Sequence, residues 1–369
     1  MRADVVVVGA GPAGAAAALA LAGQARVVMV DRRAGPEDRI GESLPGAARR
    51  LLAALGMDPD AVLADGHEPV WARRSVWGAP QVAELDALAD PHGPGVRLNR
   101  RRFEAGLRAE AVARGVQVIA PAHARVTRDG AGWTVDAGEV RIAAPVVVDA
   151  GGRGSRLLRE HARRPAAQDR LVCAWTHLPL AGPAQGVTFV QSEPDGWWYS
   201  APLPGGRRLL AFHTDADLLR ASGVHRRLVE RALALPALAA EMRDADAGRP
   251  GPVRVCAANG ARPPAAGGRG WLAAGDASMC FDPLSSQGLF HGLYTGVAAG
   301  RAALAMLGGD DGAGEAYSAA LGSVWDAYLA HRAMYYGMER RWPAAPFWRR
   351  RLAPDAVRAE SAGPRAAAV

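Results

Sequence analysis

The chain has 369 residues, 49% of them hydrophobic, and a formal net charge of +7 in which all 44 basic residues are arginine. That length supports one large core or two interleaved ones, and no run of about 20 uninterrupted apolar residues is present to span a bilayer. The lack of lysine excludes every mechanism that needs a lysine nucleophile or base, and the scattered Cys173, Cys256 and Cys280 exclude a disulfide framework or a zinc site.

The positive balance tolerates an anionic ligand, but it does not indicate nucleic acid, for which no motif is present. No metal is expected either. The start lacks the basic region and cleavage site of a secretory signal, so a cytoplasmic protein is expected.

Residues 3–8, ADVVVV, predict a buried strand, and Gly9-Ala10-Gly11-Pro12-Ala13-Gly14 follows at once. Residues 15–21 predict a helix, and 26–30 a second strand closing on Asp31 and Arg32. This is the dinucleotide-binding strand–turn–helix–strand unit. Gly9 permits the tight turn, Gly11 lets a pyrophosphate approach the backbone, and Gly14 lets helix and strand pack closely. The helix N-terminus then faces the phosphates, and Asp31 is placed to accept from ribose hydroxyls. The pattern alone does not separate FAD from NAD.

Residues 32–40 form a polar loop ending near Arg39, which faces either phosphate or solvent. Gly41-Glu42-Ser43-Leu44-Pro45 follows, with Pro45 expected to open a helix to residue 55 and Ser43 or Leu44 near its N-cap. Residues 70–78 predict a strand leaving the first domain. Asn99 should cap a second helix whose inner face is Phe103, Leu107 and Ala111, with Arg102 as the arginine turned inward. Short strands are expected over 116–126 and 133–142. Residues 145–150 read as an apolar strand ending in Gly151-Gly152, followed by the arginines of 153–159. Four strands without intervening helices, 171–178, 186–191, 196–203 and 207–214, indicate an inserted second domain. Helical segments over 215–244 follow. Residues 271–274 read as a strand ending in Gly275-Asp276, 281–288 as a loop, and 289–307 and 315–338 as helices. The tail from 354 is expected to be mobile.

The Gly9–Gly14 turn, the Ala150-Gly151 turn and Gly275-Asp276 together resemble the nucleotide-domain signatures of FAD-dependent aromatic monooxygenases and their relatives, the tryptophan halogenases and geranylgeranyl reductases. Ile40-Gly41-Glu42-Ser43-Leu44-Pro45 and Phe281-Asp282-Pro283-Leu284-Ser285-Ser286-Gln287-Gly288 are similar to the halogenase-type branch. Trp77-Gly78, the 196–204 segment GWWYSAPLP and the aromatic-arginine segment from Tyr335 to Arg350 resemble a smaller group, the LodB-like flavoproteins that mature tryptophylquinone enzymes. Halogenation is disfavoured. The halogenase Trp-x-Trp-x-Ile-Pro motif is altered at Tyr199 and Ala201, and the lysine that handles hypohalous acid is missing.

The resemblance implies an α/β fold: a Rossmann-type FAD-binding domain of the glutathione-reductase-2 type, an inserted mixed β-sheet substrate domain and C-terminal helices. Its expected bounds are 1–69, 96–160 and 251–310 for the FAD domain, 70–95 and 161–250 for the substrate domain, 311–353 for a C-terminal helical segment and 354–369 for the tail. FAD contacts are expected from Gly9, Gly11, Pro12, Ala13, Gly14, Asp31, Arg32, Arg39, Arg102, Gly151, Gly275, Asp276, Pro283, Ser285, Ser286, Gln287 and Gly288. The electron source is NAD(P)H or a reduced-flavin reductase, and O2 is the oxidant. Trp197, Tyr199, His213, Glu42 and Ser43 are the candidates beside the reacting centre. A plain core or cap role is the alternative for each. The implied reaction hydroxylates a tryptophan of a partner protein, a quinone-enzyme precursor. The alternatives are a small aromatic, indole-like substrate and a non-catalytic FAD-binding chaperone. Aromatics and arginines over 334–351 are expected either to dock a protein or to pack on the body.

Overall fold

The computed structural model describes residues 1–130, 132–158, 166–167, 169–183 and 185–352. The expected tail 354–369 and Arg159 lie outside the described residues. The chain divides into two compact units. The first comprises Met1–Glu68, Gly95–Ala166 and Ala261–Trp325; the second comprises Pro69–Pro94, Ala167–Gly260 and the chain from Asp326 onward. Of the segment 311–353, residues up to Trp325 belong to the first unit and those from Asp326 to the second.

The first unit is built on a six-stranded sheet in the order Gly267–Gly268, Trp271–Ala273, Val146–Asp149, Val5–Val8, Val27–Val30, Gln117–Ile119. The strands from Trp271–Ala273 to Gln117–Ile119 run parallel. All four residues of Val5–Val8, Val27–Val30 and Val146–Asp149 are buried, as a parallel sheet covered on both faces requires. An antiparallel meander, Ala124–Asp129, Gly132–Ala137 and Val140–Ala144, closes one face. Its Trp133, Val135 and Ile142 pack with Val6, Val28 and Val147. Helix Pro12–Leu21 packs against helix Gly288–Leu307 through small residues. A Cβ at Gly300 would sit 2.6 Å from the Ala20 methyl, and one at Gly296 would strike the Ala13 carbonyl.

In the second unit a seven-stranded mixed sheet runs Arg254–Ala257, Leu171–Pro179, Arg207–Asp215, Gly196–Leu203, Val187–Glu193, Ala72–Val76, Ala83–Asp86. Every pairing is antiparallel except Val187–Glu193 with Ala72–Val76. Alternation divides the side chains between two faces. Phe189, Trp198, Leu210 and Phe212 form one core with Leu219, Leu228 and Leu238 of the short helices Ala216–Ser222, Leu228–Leu233 and Pro236–Glu241. Trp197, Tyr199 and His213 take the opposite face.

Three local expectations are corrected. Ser43–Leu44 forms a two-residue strand paired with Val96–Arg97 rather than a helix cap, and the helix Ala48–Ala54 begins after a turn in which Ala48 N–H donates to the Pro45 carbonyl. The Ala83–Asp86 strand has no counterpart in the sequence reading, because its four exposed residues leave no apolar alternation. Helix Pro346–Leu352 is likewise additional. Among the described residues no helix is long and apolar enough to cross a membrane.

Candidate functional site

In the first unit the parallel register sets the strand ends Val8, Asp149 and Ala273 side by side. The carboxyl edge of such a sheet is where an α/β fold takes its ligand. Gly9 (φ +108°) turns there; a Cβ on it would collide with the Ala150 carbonyl, and one on Gly14 would collide with the Gly9 carbonyl. A Cβ at Gly11 would meet nothing within 4 Å. Two glycines therefore serve the packing, while the third borders open ground at the N-terminus of the helix that begins at Pro12 and Ala13. Asp31 closes the Val27–Val30 strand and accepts from Ala10 N–H at 2.6 Å and Arg33 N–H at 2.7 Å, which locks the turn to the strand end. Arg32 lies exposed beside it.

Asp149 is buried, and burial pushes its carboxyl above the usual range against hydrogen bonds from Ser155 and Gly151 N–H. Gly151 is thus held by the acid one place ahead of its turn. Gly275 (φ +61°) packs on Ala13, and its N–H donates to Thr295 Oγ1 at 2.8 Å. Burial raises the pKa of the neighbouring Asp276, opposed by the charges of Arg153, Arg100 and Arg39. Arg39 is itself lowered by burial. Glu42 is buried and raised by burial, with its Oε2 accepting from Gly41 N–H at 2.9 Å.

The inward arginine of helix Arg100–Ala113 is Arg100, not Arg102. Arg100 pairs with the buried Glu104 and donates to the Gly41 carbonyl at 2.6 Å, whereas Arg102 is exposed and pairs with Asp65. Three residues before Phe103, Arg100 shares its face; Arg102, one residue before, is turned away by about 100°. Its spacing of four from Glu104 was the available signal.

The Pro283–Ser285 turn is capped by Asp282, which accepts from Leu284 N–H at 2.9 Å. Ser285 Oγ donates to the Asp282 carbonyl, and Ser286 takes φ +52°, a left-handed conformation rare outside glycine. Ser286, Gln287 and Gly288 are exposed at the start of helix Gly288–Leu307. The N–H groups of Leu284, Ser285, Ser286 and Gln287 are taken up within the turn by Asp282, Pro283 and Ser285.

In the second unit Trp197 and His213 are directly opposed across adjacent strands. Their rings stack at 3.7 Å between centroids and 5° between planes. Burial lowers His213 to about 3, a hydrogen bond with the Trp197 backbone opposing, so the stacked ring is neutral. Tyr199 is partly exposed on the same face. Of the two alternatives for the C-terminal aromatics, packing on the body holds for Tyr336, Phe347 and Trp348, which are 1% exposed or less. Tyr335, Met334 and Met338 stay exposed. Sequence reasoning missed Tyr336, Glu339 and Ser192 as a group. Glu339 accepts from Ser192 Oγ at 2.7 Å, Gly78 N–H at 2.9 Å and Arg341 at 2.6 Å. Nothing local in the sequence announces pairings across about 150 residues.

Among the described residues no group of three or more His, Cys, Asp or Glu side chains is placed to hold a metal. The open ground at Gly11, and Asp276 with the charges of Arg153, Arg100 and Arg39 acting on it, fit a dinucleotide with a pyrophosphate.

The profile of the FAD binding domain family matches residues 2–202. LodB of Marinomonas mediterranea, named as an FAD-dependent oxidoreductase, is 26% identical over 365 residues, 96% of this chain and 98% of its own. Digeranylgeranylglycerophospholipid reductase 1 of Methanopyrus kandleri is 27% identical over 84% of this chain and 83% of its own. Among solved structures, the myxobacterial chondrochloren halogenase CndH matches with TM-score 0.83 at 22% identity, over 98% of this chain and 88% of that one. QhpG, a peptidyl tryptophan dihydroxylase essential for tryptophylquinone cofactor biogenesis, matches with TM-score 0.78 at 24% identity, over 95% and 79%. These two structures share the fold; chemistry is argued from the site.

Proposed function

The chain belongs to the FAD-binding-domain family and is an FAD-dependent oxidoreductase, and from that premise we propose that it is a monooxygenase hydroxylating a tryptophan side chain of a partner polypeptide, in the biogenesis of a tryptophylquinone cofactor. The observation that carries this reading is the aromatic sheet face of Trp197, His213 and Tyr199, in a chain without lysine whose fold is shared with a peptidyl tryptophan dihydroxylase.

When bound, FAD supplies the redox chemistry, drawing electrons from NAD(P)H or a reductase and delivering one atom of O2 to an electron-rich ring while the other leaves as water. The chain's own residues bind, orient and exclude water. The Gly9–Gly14 turn, with Asp31 behind it, would hold the dinucleotide, and Asp276 would accept from its hydroxyls, with Arg39 and Arg100 balancing charge. The internally hydrogen-bonded turn from Pro283 to Gln287 would set the shape of the border of the ring site, with Gly288 opening the helix beside it. Glu42 and Ser43 line the approach to it. Tyr199, partly exposed and backed by the buried Trp197, would offer an apolar surface that keeps water from a target indole. His213 backs that surface without adding a charge, since burial keeps it neutral.

The test is the intact mass of a co-expressed quinone-enzyme precursor, with and without this protein. Oxygen added on one tryptophan, and absent with Asp276→Ala, supports the reading. An unchanged precursor with bound, reducible FAD overturns it and directs attention to indole-like small molecules. Stable precursor binding without mass change would instead mark a non-catalytic chaperone.

A further inference from the structure

We propose that Tyr336 is a positioning residue: its hydroxyl fixes the orientation of Trp197 and, through the stack, that of His213. Trp197 Nε1 donates to Tyr336 Oη at 3.2 Å. Both side chains are 1% exposed. An indole held only by stacking can rotate about its terminal torsion, which has broad, roughly two-fold wells. One anchored N–H selects a single well.

Tyr336 is equipped to be that anchor. Its ring lies 6.1 Å from Trp77, 6.0 Å from Trp348 and 6.2 Å from Phe347. The guanidinium groups of Arg332 and Arg351 stand over it, each 5.3 Å from the ring centroid. Arg332 is paired with Asp169, and Arg351 with Asp215 at 2.8 Å. Two guanidinium groups over the ring face hold the phenol in place by cation–π contact. One turn further on, Glu339 staples the chain to Ser192 and Gly78. The role extends the proposed function, since it takes Trp197 as backing a wall of the substrate site.

The test uses full-length, FAD-loaded protein with 15N-labelled tryptophan. Tyr336→Phe keeps the ring contacts and removes the acceptor. Its expected result is an upfield move of one indole N–H signal, the one missing in Trp197→Phe, with a change at His213. Precursor hydroxylation should show kcat falling about fivefold to tenfold at unchanged KM, and Tyr336→Phe should add nothing in a Trp197→Phe background. An unmoved Trp197 signal overturns the anchor. A moved signal with equal kcat losses in both backgrounds overturns the relay through Trp197, leaving a structural role. The NMR arm needs no turnover, so it judges the anchor even if the proposed reaction fails.

Discussion

Glu42 and Asp276 of the first unit and Glu339 of the second are buried carboxyls held in opposite ways. Burial pushes Glu42 and Asp276 up, and the charges of nearby arginines only partly offset it. Burial pushes Glu339 up too, but Arg341, Ser192 and two backbone N–H groups outweigh it and hold the carboxyl at about 2, whereas Glu193 of the same unit is raised by burial. Asp276, at the carboxyl edge of the parallel sheet, faces the charges of Arg153, Arg100 and Arg39. An acid with every lone pair filled is a staple. The contrast separates ligand-facing from load-carrying charge without reference to any relative.

The largest effects should fall on the glycine turn, and they divide it. Gly14→Val should destabilise the protein by about 4 kcal/mol or more, because the new side chain strikes the Gly9 backbone. Gly11→Val should leave the melting temperature of the apoprotein within a degree or two and still abolish flavin retention, read as bound flavin per chain. A loss of stability with Gly11→Val would break the distinction between packing and ligand glycines. Next, Glu339→Ala should cost about 3 kcal/mol in urea unfolding by stranding the Gly78 N–H and removing the carboxylate partner of Arg341, while bound flavin per folded chain stays unchanged.

A smaller effect is expected from acid. Between 6.5 and about 3 the unfolded chain binds a proton at His213 that the folded chain does not, so stability is complete above 6.5 and declines as pH falls through that window. At about 1.4 kcal/mol per pH unit, going from pH 6.5 to 5 costs about 2 kcal/mol. His213→Phe should remove that part of the slope. Smallest of all, Asp276→Asn should change apoprotein stability by less than about 1 kcal/mol, towards gain, because it relieves a burial only partly offset by arginine charges, whereas Glu339→Gln should lose stability. Same-sign results for this pair would erase the contrast between the two carboxyls.

Local chemistry explains what the sequence reading reached. The Gly9–Gly14 turn, the Asn99 cap and the four central strands of the second unit each rest on neighbours within a few residues, and these features are visible along the chain. Where the outcome depended on distant partners, the reading went astray. Ser43 resembles a cap until Arg97 arrives to pair with it. For Tyr336 and Trp348 the sequence leaves docking and packing on the body both open, and the sheet beneath them decides for packing. Trp348 Nε1 donates to the Glu193 carbonyl at 2.8 Å, 155 residues away. The choice of Arg100 over Arg102 was within reach of the helical wheel alone.

The joint between helices Pro12–Leu21 and Gly288–Leu307 has a consequence for biosynthesis. The first helix, PAGAAAALAL, has eight of its ten residues buried, and it has no polar face to show water while it waits. Its principal cover is translated almost 270 positions later. At ribosomal speeds of about 5–20 residues per second the nascent chain spends roughly 15–60 s with that segment unshielded. The motif that announces the cofactor first in the sequence is therefore among the last parts to be completed on the ribosome, and holding it apart from other nascent chains is work for a chaperone before any flavin can be taken up.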